Sequence, residues 1–187
     1  MDLSIENKAI AALPAEGIRV GSAGMLSSFL ELCGAFQTGR FFFTAPFFDE
    51  SFVNSFASKL SVSRCDCEVV VKTPEAAREM LAYLRSHGCR TVSASIATDL
   101  HAKVFLFEVA GKCLLGLVGS HNPTAAGIKS NLEIGVYIGA QCARPEWRTL
   151  FDLREFLRRA SKPYVEAVKG VGLYREKRDD NRNSVNQ

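Results

Sequence analysis

Residues 100–136 gather the side chains of phosphoryl chemistry: an imidazole at His101, an ammonium at Lys103, carboxylates at Glu108 and Glu133, a hydroxyl at Ser120 and carboxamides at Asn122 and Asn131. Breaking a phosphodiester needs an attacking group, a proton for the leaving oxygen and positive charge beside the phosphoryl oxygens. An imidazole titrates near neutral pH, so His101 can act as nucleophile or general acid. His101 and Lys103 alternate with apolar residues in a run rich in β-branched and aromatic side chains. That pattern places both on one face of a strand, with Lys103 set to pair with a non-bridging oxygen. Ser120 and Asn122 add neutral donors, and a helix after Pro123 would offer its first backbone N–H groups to an anion. A carboxylate that takes a hydrogen bond from the second ring nitrogen fixes a catalytic histidine's tautomer, a task open to Glu133.

Taken singly, these residues say little. A lone histidine is more often structural, a strand-edge lysine snorkels, and Ser120, Asn122 and Asn131 suit turns. His121 points away if its neighbours face the site, and is left out of the reacting set. Weight comes from joint occurrence in order. His101-x-Lys103, Glu108 after four intervening residues, Gly119-Ser120-x-Asn122 and Asn131-x-Glu133 together resemble the HKD motif of the phospholipase D superfamily, over about a fifth of the chain. Glu108 stands where that family usually has aspartate, in a supporting role, and Asn131 supports the same way. The family's N-x-E position orients the histidine, which favours Glu133 over Glu108 for that task.

The resemblance implies a two-step reaction. One histidine attacks phosphorus to give a phosphohistidine, a histidine from a second HKD motif protonates the leaving group, and no metal or other cofactor takes part. HxK occurs once in this chain. A complete site then needs two chains, which makes the expected assembly a symmetric homodimer with the two His101 side chains facing each other across the two-fold axis. Short single-motif members of the superfamily are typically nucleases, so the implied partner is nucleic acid, with DNA the first choice. Two other readings stand beside this one. The first is a phospholipase or phosphatidyl transferase, which should carry an exposed membrane face. The second is a catalytically weak module that binds nucleic acid within a larger complex.

The elements that must position these residues follow from local pattern. Met25, Leu26, Phe29, Leu30 and Cys33 keep helical spacing, with Ser22 as a cap and Gly39 past the end. Residues 41–45 are strongly β-prone and stopped by Pro46; three adjacent phenylalanines fit a central strand buried on both faces better than a stacking platform for bases. Asp49 caps a helix bearing Phe52, Phe56 and Leu60. Residues 68–72 form a strand, and Thr73-Pro74 opens a helix with Ala77, Met80, Leu81 and Leu84 buried. His87 serves that helix's C-terminus. A strand over 90–97 follows, then a hairpin of 101–108 and 112–118 around Ala110-Gly111. A short helix over 124–130, a strand over 132–138 and a long amphipathic helix from Pro145, carrying Trp147, Leu150, Phe151 and Leu157, complete the series. Strands alternating with helices predict an α/β fold. Its expected form is a mixed, mostly parallel β-sheet flanked by helices on both faces, as in phospholipase D.

The 187 residues suit one domain. It is expected over 1–173, with 1–23 as a variable N-terminal segment and 174–187, which lack apolar periodicity, as a disordered tail. A hydrophobic fraction of 47% with 23% charged residues is ordinary for a globular protein. No apolar run reaches the ~20 residues that span a bilayer. The N-terminus lacks a signal-peptide pattern, so a cytoplasmic location without stable membrane association is the expectation. Six cysteines are then best read as reduced thiols, and Cys65-x-Cys67 has no second pair to make a zinc site. The formal charge of +3 is modest. Its excess lies in 141–173, which hold seven basic and four acidic residues, as a phosphate backbone would favour.

Overall fold

The computed structural model describes residues 17–21, 25–36, 38–60, 65–109, 113–129, 134–141 and 145–165. Its strands are β1 (Gly17–Gly21), β2 (Gly39–Ala45), β3 (Cys65–Val71), β4 (Thr91–Ile96), β5 (Lys103–Val109), β6 (Cys113–Gly119), β7 (Gly135–Gln141) and β8 (Lys162–Pro163). Its helices are α1 (Met25–Gly34), α2 (Glu50–Leu60), α3 (Pro74–Ser86), α4 (Ala125–Lys129) and α5 (Pro145–Arg159). The strands form one sheet in the order β1-β7-β6-β5-β2-β3-β4-β8.

The α/β class, the mixed sheet and the helices on both faces are as expected, but the pairing is not mostly parallel. Only β2–β3 and β3–β4 are parallel; the other five pairings run antiparallel. The reason lies in the connections. A parallel neighbour requires a crossover of a dozen or more residues, which α2 and α3 supply for β2, β3 and β4. The remaining strands reverse direction, β5 pairing back onto β2 and β6 and β7 following in turn.

Alternation along β2 explains the phenylalanine run. Phe41 and Phe43 enter the core beneath α1, α2 and α3, while Phe42 enters a second core with Leu150 and Leu157 of α5. All three are at most 1% exposed, so they are core residues and no stacking platform. Each burial contributes about 1.5–3 kcal/mol. Phe43 stacks with Phe105 across the β2–β5 pair at 6.3 Å between centroids, which helps hold β5 against β2.

Several local expectations are met. Asp49 accepts the Phe52 N–H at 2.8 Å, Thr73 caps α3 through the Ala76 N–H, and His87 closes that helix against the Tyr83 carbonyl. Gly39 opens β2 rather than following a helix end. The final central strand begins at Gly135, later than its apolar pattern implied. β1 was not legible in sequence; it is an edge strand held by antiparallel pairing with β7. The Ser22 cap, the Ala110-Gly111 turn and the 174–187 tail lie outside the described residues. Among the described residues no helix is long and apolar enough to cross a membrane, and Cys65, Cys67 and Cys89 are free thiols.

The basic C-terminal region is less open than its composition suggests. Leu150, Arg154 and Leu157 fall on one helical stripe, so Arg154 is drawn under α5 and is 5% exposed. It bonds Glu108 and Glu155 and lies under the Phe151 ring, 4.5 Å from its centroid. Arg158 bonds Glu68 and Glu155. These two arginines tie α5 to the sheet. Arg148, Arg159 and Lys162 keep exposed side chains.

Candidate active site

His101, Lys103, Ser120 and Asn122 come together because four strands turn at one end of the sheet. β5 begins where β6 finishes, and Lys103 lies opposite Gly119 in the register. Gly119 in turn lies opposite Gly135, so Ser120 and Asn122 leave the sheet beside the start of β5. β2 ends there as well, antiparallel to β5. Lys103 Nζ lies 3.0 Å from His101 Nδ1, which confirms the shared face that alternation implied. His101 is exposed and Lys103 half-buried.

Thr44 near the end of β2 and Asp49 in the β2–α2 connection fasten this arrangement, and sequence patterning gave neither this role. Thr44 is fully buried; its hydroxyl donates to the Ala102 carbonyl and accepts the Val104 N–H at 2.9 Å. The peptides on either side of Lys103 are therefore held by one side chain. Asp49 does the same for the other half. Oδ1 caps α2, Oδ2 accepts the Ala125 N–H at 2.8 Å, and its own N–H donates to the Pro123 carbonyl at 3.1 Å. A buried threonine inside a strand and an acid serving two helix starts were the available signals, but only the pairing partners give them this meaning.

Asp49 also narrows one expectation, since it takes up a donor that the helix start would offer to an anion. Three N–H groups at the start of α4 are already engaged: Ala125 donates to Asp49, Gly127 to Thr124 Oγ1 at 3.1 Å and Thr124 to the Asn122 carbonyl at 2.8 Å. The short helix supports the loop that carries Ser120 and Asn122.

Ser120 is exposed, yet it braces β6 to β7. Its N–H donates to the Ile134 carbonyl at 2.9 Å, and its hydroxyl accepts the Ile134 N–H at 3.0 Å while donating to the same carbonyl at 3.4 Å. Gly119 is required for that approach, since a Cβ there would lie 2.3 Å from the Ile134 oxygen. Asn122 is half-buried, and its Oδ1 is buried with no hydrogen-bond partner among the described residues. His121 is fully buried, its ring packed where a Gly135 Cβ would come within 2.5 Å of Cε1. It supports the site from below, in keeping with its exclusion from the reacting set.

Glu108 does not join this cluster. It lies five residues along β5 from Lys103, about 17 Å at strand rise, and on the opposite face, where Arg154 donates to Oε2 at 2.8 Å. It is a fastening for α5. Asn131 and Glu133 lie outside the described residues.

No family model and no curated protein matches the sequence. Solved structures do match by shape. The phospholipase D family member Nuc from Salmonella typhimurium superposes with a TM-score of 0.55 at 16% identity, over 79% of this chain and 97% of that one. NucT from Helicobacter pylori gives 0.55 at 10% identity, over 79% and 99%. Phosphatidylserine synthase from Haemophilus influenzae gives 0.54 at 13% identity, over 81% of this chain but 40% of the other. The chain therefore has the fold of these proteins, the phospholipase D family member Nuc among them.

Proposed function

We propose that the protein is a metal-independent phosphodiesterase that cleaves nucleic acid, its active site assembled from two copies of the chain. The observation that carries this reading is the pairing of Lys103 Nζ with His101 Nδ1 at 3.0 Å, at the sheet end that also bears Ser120 and Asn122.

An ammonium has donors only, so Nδ1 accepts and the proton of the neutral imidazole sits on Nε2. Giving that Nε2 proton to a leaving oxygen requires a proton on Nδ1 as well, so that neutral imidazole and not an imidazolate is left behind. A phosphate entering the site draws Lys103 onto a non-bridging oxygen and frees Nδ1 to carry the proton, which leaves the Nε2 lone pair for attack. Glu133 would then hold Nδ1–H. His101 of one copy forms the N–P bond as the P–O bond to the leaving group breaks, and His101 of the second copy, carrying protons on both ring nitrogens, gives that oxygen its Nε2 proton and becomes neutral. Water, losing a proton to the second histidine, then displaces the first. Ser120 can turn its longer 3.4 Å donation toward a phosphoryl oxygen while still accepting the Ile134 N–H. Asn122 adds its amide.

The fit to Nuc and NucT along almost their whole length favours a small enzyme of this type over a lipid enzyme such as phosphatidylserine synthase. Labelled DNA incubated with the protein in chelator tests the proposal. Cleavage that survives chelation and disappears in His101→Ala supports it, together with a dimeric mass in solution. Intact DNA with retained gel-shift binding would make the protein a binding module. Turnover of phosphatidylcholine vesicles would make it a lipid enzyme, and a strictly monomeric active protein would remove the shared site.

A further inference from the structure

Beside His101 lies a cleft of about 470 Å³ that the chemistry above does not use. One wall is the loop from β4 to β5, with Thr98, Asp99 and His101; the other is the last turn of α5, with Phe156 and Leu157, and Ala160 just after it. We infer that this cleft takes an unpaired nucleobase next to the scissile phosphate, which makes single-stranded nucleic acid the substrate. The inference rests on the phosphodiesterase reading for the identity of that phosphate.

Three features argue for a base. Phe156 is 64% exposed although the helix beneath it is well packed, and an exposed ring at the mouth of a cleft is a stacking surface. Opposite it stand the Asp99 carboxylate and the Thr98 hydroxyl, both exposed. A carboxylate accepts from the amino group of cytosine, and a hydroxyl serves donors and acceptors alike, so the pair reads a base edge while the ring holds its face. Leu157, 7% exposed, and the small side chain of Ala160 add apolar lining to the cleft. Ala160 also lies in the chain between Arg159 and Lys162, whose exposed cations suit the next phosphate along a strand. A duplex keeps its bases stacked and paired, so a base reaches this cleft only from a single strand or an opened end. An acyl chain would meet Asp99 at the rim, an unfavourable neighbour for hydrocarbon.

The test compares the full-length protein on a single-stranded oligonucleotide, the same strand as duplex, and a strand of equal length with abasic residues. Cleavage and fluorescence-anisotropy binding are both measured. The expected result is a preference for the base-bearing single strand over the other two. In Phe156→Ala that preference falls on the order of ten-fold or more, read in KM rather than kcat, and Phe156→Tyr restores it. Equal cutting of abasic, duplex and single strands, or a preference unchanged in Phe156→Ala, overturns the inference while leaving the phosphodiesterase intact. Base-dependent, Phe156-dependent binding without cleavage does the reverse. Phe156-dependent turnover of phosphatidylcholine vesicles would reassign the cleft to a lipid headgroup and overturn it.

Discussion

Glu108 and Arg154 meet at 2.8 Å on the face of the sheet opposite Lys103, the arginine 6% and the carboxylate 27% exposed. The acidic residue that follows HxK thus secures α5 to β5 and stays clear of phosphorus. Glu108→Ala leaves a buried guanidinium with, among the described residues, the Glu155 carboxylate 3.3 Å from Nε to balance it. The expected cost is about 2–4 kcal/mol, toward the range for breaking a buried pair. Chemical denaturation should show that loss, while activity per folded molecule at low temperature changes little. The double variant Glu108→Leu/Arg154→Met should recover much of the stability.

Thr44→Val tests the clamp on Lys103. The substitution keeps shape but leaves the Val104 N–H and the Ala102 carbonyl without their shared hydroxyl. Stability should fall by about 1–3 kcal/mol. Cleavage should fall further than the fraction unfolded accounts for, and Thr44→Ser should restore both. Thermal melts run alongside phosphodiesterase assays separate the two effects.

Asp49→Ala removes acceptors from two helix starts at once, the Phe52 and Ala125 N–H groups. Cap losses of this kind cost about 0.5–2 kcal/mol each. Hydrogen exchange at Ala125 and at residues flanking Asn122 should quicken in the variant. Exchange unchanged there, with α2 alone loosened, would show that the carboxylate does not hold the Ser120–Asn122 loop.

Acid stability should register the Asp66–Arg90 pair. Hydrogen bonding from Arg90 holds the Asp66 carboxyl below the ordinary carboxylate range, with burial opposing. A depressed folded value means the pair contributes fully above the unfolded aspartate pKa of about 4. The contribution disappears as pH falls through the folded value. Arg90→Gln should therefore melt slightly below the parent at neutral pH, and the two curves should converge in acid. Midpoints that stay separated at the lowest pH would assign the effect to something other than Asp66 ionisation.

The sequence by itself determined the alternation of helices and strands, the doubly buried Phe41–Phe43 strand, the Thr73 cap of α3 and the shared face of His101 and Lys103. These are consequences of period, β-propensity and local hydrogen bonding, which act over a few residues. Only the tertiary structure decided which strands became neighbours. It thereby decided that five pairings run antiparallel, that β1 joins β7, and that Lys103 stands opposite Gly119. The same holds for the side chains whose partners are distant in sequence. Thr44 bonds residues 58 and 60 positions away, Asp49 one 76 away, and Arg158 one 90 away. No local pattern encodes such a partner, because it depends on where the sheet delivers each strand end. Composition placed a basic face on α5, and burial turned two of its arginines into fastenings for the sheet beneath.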